Sequence, residues 1–199
     1  MAEASPRRRS GGRRADAQRS VDAILDAAIA CLVEDPNANT ADIAARAGVG
    51  RVTLYGHFPS RTELVDAAFG RIVTRAEEHL ATIDLAGEPR QALADLIASS
   101  WEVVFQHRAL LAAAQGTMPA ERIRRHHEQP LTRVRSLIER GRHDGVFRTD
   151  QPVDWLVTVF YTVLHGAAGE IGAGRLDQAE AAGLITATLL AAYSPPPHR

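Results

Sequence analysis

Lysine is missing from this sequence: all 23 basic side chains are arginine, set against 24 acidic ones for a formal net charge of -1. A chain this close to neutral is not the polycation that non-specific nucleic-acid binding favours, so any attraction to a polyanion must come from where the charge sits. The arginine-only usage is compositional and decides nothing about mechanism. Cysteine is almost missing as well; the single Cys31 cannot close an internal disulfide. Aromatic residues make up only 5% and β-branched clusters are few, while alanine is abundant, which favours helix over sheet and predicts an all-α protein. No run approaches the ~18 uninterrupted apolar residues of a membrane helix, and no charged segment leads into a short apolar one at the start. The expectation is a soluble, cytoplasmic protein. No nucleophile elbow, phosphate loop, zinc-ligand spacing or His-Glu-x-x-His sequence is found, so no cofactor, metal or catalysis is indicated and the chain is not read as an enzyme.

What the 199 residues do contain is a change of character along their length. Residues 1–18 combine Ser, Gly, Pro and Arg with almost no large apolar side chains, which predicts a flexible basic arm. From Val21 the apolar positions Ile24, Leu25, Ala28, Cys31 and Leu32 recur at helical spacing, and Pro36 closes this first helix. Asn39 can cap a second, two-turn helix that stops at Gly48. A third brief helix runs from Gly50 or Arg51 to Pro59, and Ser60-Arg-Thr-Glu63 reads as a capping box that opens a long fourth helix reaching about Thr82. Beyond Gly87 and Pro89 longer helices are expected over 90–106, 108–115, 120–141, 152–171 and 176–193, with no strand alternation and no repeat. The expected division is 1–18 arm, 19–66 helix-turn-helix DNA-binding domain, 67–194 helical ligand-binding and dimerisation domain, and 195–199 tail.

The stretch from Asn39 to Arg61 carries the chemistry. Two short helices meeting at a glycine-bearing turn have the spacing that braces one helix on the phosphate backbone while the other enters the major groove. Gly48 can supply the positive φ of that turn. Ile43, Ala44, Ala47, Val49, Leu54 and Phe58 would pack the pair on the first helix, leaving Arg51, Thr53, Tyr55 and His57 outward. Arginine can pair with guanine O6 and N7, a threonine methyl can contact thymine, and Tyr, His and Arg can donate to phosphate oxygens.

Ile43-Ala44, Ala47-Gly48-Val49, Leu54-Tyr55, His57-Phe58 and Arg61-Thr-Glu-Leu64 resemble the signature of the tetracycline-repressor (TetR) family over residues 20 to about 70. The resemblance implies an Ω-shaped homodimer in which a three-helix DNA-binding domain is joined by a long helix to a variable, helical ligand-binding and dimerisation domain. It places Asn39, Thr40, Gly50, Arg51, Val52, Thr53, Tyr55, Gly56, His57 and Arg61 at DNA: Arg51, Val52, Thr53 and Gly56 resemble base-facing positions, and Tyr55, His57 and Arg61 phosphate-contacting ones. This sequence departs from the pattern at Gly50, where Ser or Thr often caps the recognition helix, and at Gly56, where a larger residue often stands. Base readout then leans on Arg51 and Thr53. The implied partners are double-stranded palindromic operator DNA, a small-molecule effector and a second copy of the chain.

In the second unit the bulky candidates for a ligand cavity are Trp101, Phe105, Met118, Trp155, Tyr161 and His165, of which His165 offers a polar handle on an otherwise apolar helix. Leu156, Val159, Phe160, Val163, Leu164 and Ala167 on one late helix, with Leu184, Ile185, Thr188 and Leu189 on the other, offer apolar surface for a four-helix dimer contact. Residues 121–128, with adjacent His126 and His127, read as a solvated charged face because neighbours on a helix point apart. Phe69 and Ile72 are expected to transmit the ligand response without forming its binding site. The reading is a transcriptional regulator, a repressor released by ligand; an activator of the same family, or a helical carrier or enzyme without operator binding, are its alternatives.

Overall fold

The computed structural model describes residues 8–196 and, among them, ten α-helices. Helix α1 (Arg8–Glu34), α2 (Thr40–Arg46) and α3 (Arg51–His57) form the N-terminal unit, α4 (Arg61–Leu80) leaves it, and α5 (Pro89–Gln106), α6 (Arg108–Thr117), α7 (Ala120–Arg125), α8 (Glu128–His143), α9 (Val153–Gly172) and α10 (Gln178–Tyr193) complete the bundle. The all-α expectation holds. None of the described helices is long and apolar enough to cross a membrane.

Capping residues start the helices where the sequence indicates. The Asn39 side chain accepts hydrogen bonds from the Ala41 and Asp42 amides at 2.8 and 3.0 Å, and Ser60 accepts one from the Glu63 amide at 3.1 Å; each satisfies donors that a helix start otherwise leaves open. Gly48 has φ 68°, which a side chain would resist, and lets α2 turn into the segment before α3.

Two expected boundaries are corrected. The first helix, expected from Val21, starts earlier: residues 1–7 lie outside those described, and α1 begins at Arg8. Arg, Ala and Gln are good helix formers, and Asp16 and Arg19 pair one turn apart on this exposed stretch. The single helix expected over 120–141 is two, α7 and α8, broken at His126 and His127. Pro130 is the cause. It has no N–H to continue the ladder and its ring clashes with the carbonyl four residues back, that of His126, so the chain can resume a helix only with Pro130 in its first turn.

Two apolar clusters organise the fold. The first joins α1–α4 through Ile24, Leu32, Ile43, Leu54, Leu64, Val65 and Phe69, and also takes in Leu110, Leu111 and Ala114 of α6, Met118 and Ile123. The second joins α5, α8, α9 and α10 around Leu93, Ile97, Ile138, Leu164, Ile185 and Leu189, with Leu80 from the end of α4. Helix α4 therefore belongs to both, and α6 packs on the N-terminal unit although it lies far along the chain.

At the far end the α8–α9 connection is locked to α10. The Arg148 amide donates to Tyr193 O at 2.8 Å and the buried Tyr193 hydroxyl donates to Leu156 O at 2.7 Å. Phe147, 1% exposed, lies against Gly141 so closely that a Cβ at that glycine would overlap its ring. Gly141→Ala is expected to lower the unfolding free energy by about 1–3 kcal/mol, the usual cost of forcing extra volume into a packed core, as read by urea denaturation.

Candidate nucleic-acid interface and effector cavity

Leu54, 1% exposed, is the one fully buried side chain of α3, and it pins the helix to the N-terminal core. Phe58, at the end of α3, is buried in the same core, and Ala47 and Val49 pack partly against it. With the helix anchored on one side, Arg51, Val52, Thr53 and Tyr55 are left on the outside; Val52 is 89% and Tyr55 45% exposed, values that a core role would not allow. His57 is half-buried. Gly50 and Gly56 have open space where a Cβ would stand, so nothing in the protein itself demands glycine there.

The expected interface residues outside α3 have work within the protein. The Asn39 side chain caps α2 and also donates to Asp42 at 2.7 Å. The Thr40 and Tyr55 hydroxyls are 2.8 Å apart, a hydrogen bond that ties the start of α2 to the outer face of α3 and fixes the phenol ring. Arg61 donates to Pro36 O at 2.8 Å and Ala38 O at 3.3 Å, so its guanidinium braces the α1–α2 loop.

The larger unit holds a cavity between α4, α5, α8 and α9, lined mainly by apolar groups that include Phe69, Ile72, Val134, Phe160 and Leu164. It gives ≈ 90 Å³ of room for the centres of water-sized atoms. Tyr161 and His165 are among the residues that line it. The other four candidates do not. Trp101 is buried in the α5 side of the second cluster with Phe105 packed against it, Met118 is buried in the first cluster, and Trp155 is 55% exposed near the start of α9. Bulk alone marked these four, and bulk does not distinguish core, cavity wall and surface. Phe69 and Ile72 line the cavity itself, so changes there would act on the site directly and not only on transmission.

Sequence reasoning missed His127 and Arg133. His127 is carried to the cavity wall by the break at Pro130, and it stands edge-on to Tyr161 and His165 with ring centroids 5.1 and 4.8 Å away. Tyr161 and His165 stack at 4.2 Å, and Arg124 lies over the Tyr161 ring at 5.1 Å. At the other end Arg133 of α8 pairs with Glu77 of α4 at 2.6 Å, with the second Glu77 oxygen and Arg133 Nε buried and unpartnered. His126, expected on a solvated face, reaches Asp66 of α4 at 2.8 Å, alongside Arg122 at 2.6 Å. Burial alone would raise the Asp66 carboxyl, but its hydrogen bonds to Arg122 and His126 outweigh that and hold it below the ordinary range. The signal for this cluster was Pro130, three residues beyond the adjacent histidines.

The expected dimer surface also changes. Leu156, Phe160, Leu164, Ala167, Ile185 and Leu189 are buried in the chain's own core, while Val159 and Val163 are half-buried and Leu184 and Thr188 exposed. The most apolar stripe of a helix is claimed first by its own domain. Among the residues left exposed are Trp155, Thr162, Gly166, Gly169 and Glu170 on α9 and Gly183, Leu184, Ala187, Thr188 and Ala191 on α10. Among the described residues no group of three His, Cys, Asp or Glu side chains is placed to hold a metal ion.

Residues 24–68 match the family profile described as bacterial regulatory proteins, tetR family. The HTH-type transcriptional repressor LfrR of Mycolicibacterium smegmatis is 48% identical over 63 residues, which is 32% of this chain and 31% of that protein, so the sequence match spans about a third of the relative. The fold is shared more widely. A TetR-family regulator from Agrobacterium tumefaciens superimposes with a TM-score of 0.68 at 24% identity, covering 89% of this chain and 99% of that one. LfrR in complex with proflavine does so with a TM-score of 0.65 at 22% identity, covering 86% and 94%.

The cavity histidines make stability depend on pH. Burial, opposed by the hydrogen bond to Ile123 and reinforced by His126 and Arg124, pushes His127 down to about 4; burial and the neighbouring His127 push His165 down to about 3. Both rings bind a proton near 6.5 when unfolded, so their contribution is intact above that pH and is lost as the pH falls from 6.5 toward the folded values. Each ring is expected to cost about 2 kcal/mol between pH 6.5 and 5. In urea denaturation across this range, His165→Phe is expected to remove roughly half of the histidine slope. An unchanged slope would show that the ring is hydrated in the folded protein.

Proposed function

We propose that the chain, whose residues 24–68 match the tetR family of bacterial regulatory proteins, acts as a member of that family: a cytoplasmic, homodimeric transcriptional repressor that leaves its operator when a small molecule fills the cavity. The observation that carries the reading is the outward face of α3: Arg51, Val52, Thr53 and Tyr55 exposed on a helix held by the buried Leu54. In this reading Arg51 and Thr53 contact base edges, Val52 packs on a thymine methyl, and Gly56 lets the backbone come close to DNA. Tyr55 and His57 donate to phosphates, with the phenol oriented by Thr40. Asn39 and Arg61 serve the same surface by holding the start of α2 and the loop before it, and Gly50 opens the recognition helix. The name of LfrR as a repressor, and its structure with proflavine, support repression and a small-molecule effector here.

A dimer supplies two recognition helices that must meet half-sites roughly 34–36 Å apart on one DNA face. Helix α4 runs from the DNA-binding unit along the cavity wall, so a ligand that prefers one tilt of α4 shifts the population away from that spacing; a ligand with equal affinity for both arrangements would shift nothing. Trp155, Leu184, Thr188 and the small residues between them form the two-fold contact in this reading.

Mobility shift with the promoter DNA beside its own gene tests the DNA assignment. Tyr55→Ala is expected to weaken binding to all sequences alike, and Arg51→Ala to relax preference at one or two base pairs by about 1–3 kcal/mol. Full binding by both folded variants would remove the assignment. Leu184→Glu, which buries a charge in the proposed interface, is expected to turn a dimer into a monomer in sedimentation at micromolar concentration and to weaken operator binding with it. A wild-type chain that sediments only as monomer would remove the dimer.

A further inference from the structure

The polar groups of the cavity specify more than an apolar hole. His127 Nδ1 stands 2.9 Å from Ile123 O. A carbonyl oxygen can only accept, so the proton of a neutral ring must be on Nδ1 and its Nε2 is left as an acceptor. The ring is neutral near pH 7 because burial holds its protonation far down, to about 4. His165, beside it, has a buried Nδ1 with no partner. A buried polar nitrogen left unbonded is costly, which makes this end of the cavity a place where a neutral ligand gains from a hydrogen bond.

The remaining charges argue against a charged occupant. Arg133 and Glu77 already pair at 2.6 Å, although the second Glu77 oxygen and Arg133 Nε have no partner of their own. An anion would have to draw Arg133 from Glu77, and a cation would have to draw Glu77 from Arg133, each leaving one buried charge behind. Arg124 over the Tyr161 ring adds positive potential at the histidine end and further disfavours a cation there. The volume of ≈ 90 Å³ is room for about six to nine waters, the bulk of a one- or two-ring molecule. Phe69, Phe160 and Tyr161 in the wall suit a flat ring.

We propose that the cavity binds an uncharged one- or two-ring molecule bearing a hydroxyl or N–H donor, and that His127 Nε2 accepts that donor while His165 flanks it and determines specificity with it. This rests on the cavity being the effector site and names the chemistry of its ligand.

Calorimetric titration of the full-length protein at pH 7.5 with five probes of similar size tests it: naphthalene, 2-naphthol, 2-methoxynaphthalene, 2-naphthoate and N-methylquinolinium. 2-Naphthol is expected to bind about 10-fold or more tightly than each of the others, since only it is neutral and can donate. The methyl ether retains the oxygen as an acceptor and so separates donating from accepting without any mutation. In His127→Phe the preference of 2-naphthol over naphthalene is expected to fall to within about 3-fold, with naphthalene affinity kept because the ring is replaced by a ring. Equal binding of the ether and the naphthol, tighter binding of either charged probe, survival of the preference in His127→Phe, or no binding by any probe would each overturn the proposal. Operator retention measured alongside separates the two readings. Selective 2-naphthol binding that leaves operator affinity unchanged supports this site and removes ligand-driven release, whereas release of operator without donor preference removes this proposal alone.

Discussion

The structure depends on the burial of one long helix by two different partners. Along α4, Leu64, Val65, Ala68, Phe69, Ile72 and Val73 are buried in the cluster of the N-terminal unit, and Leu80 is buried in the cluster of the helical bundle. The large side chains among these each contribute about 1.5–3 kcal/mol when removed from water, so the N-terminal unit, which buries five of them, cannot release α4 without a cost comparable to its whole stability. Helix α6 strengthens the constraint, since Leu110, Leu111 and Ala114 pack into the N-terminal cluster. Helix α3 is therefore not a freely hinged module; through the shared core it is fixed to α4, which also supplies part of a cavity wall.

The polar contacts along that rod are spaced to hold it at two points. Asp66 is gripped by Arg122 and His126 of the α7 region, and Glu77 by Arg133 of α8. Eleven residues of helix separate the two carboxylates, roughly 16 Å at the rise of an α-helix. Gly70, between them, allows the close approach of His126. By contrast, the pairs of α4 with α1, Arg71–Asp22 and Arg75–Asp26, involve largely exposed carboxylates and contribute little on their own. The firm attachments thus lie on the side of α4 that faces the cavity, where a bound molecule would meet Phe69, Ile72 and Val73 directly.

The sequence by itself determined the all-α class, the capped starts of α2 and α4, the glycine turn at Gly48 and the outward set on α3, because each follows from local rules of capping, left-handed backbone and apolar spacing within a few residues. Arg51, Thr53 and Tyr55 were legible as surface groups since Leu54 and Phe58 had to face inward. Tertiary structure decided the rest. Whether an apolar side chain is core, cavity wall or interface depends on what the fold places against it; hence Trp101 and Met118 are core, Trp155 is exposed, and the leucines of α9 and α10 serve their own domain. It also decided that His126 and His127, adjacent in the chain, grip Asp66 and line the cavity respectively. That assignment turns on Pro130 breaking one helix into two, and on partners about 60 residues away whose arrival at the same place no local pattern encodes.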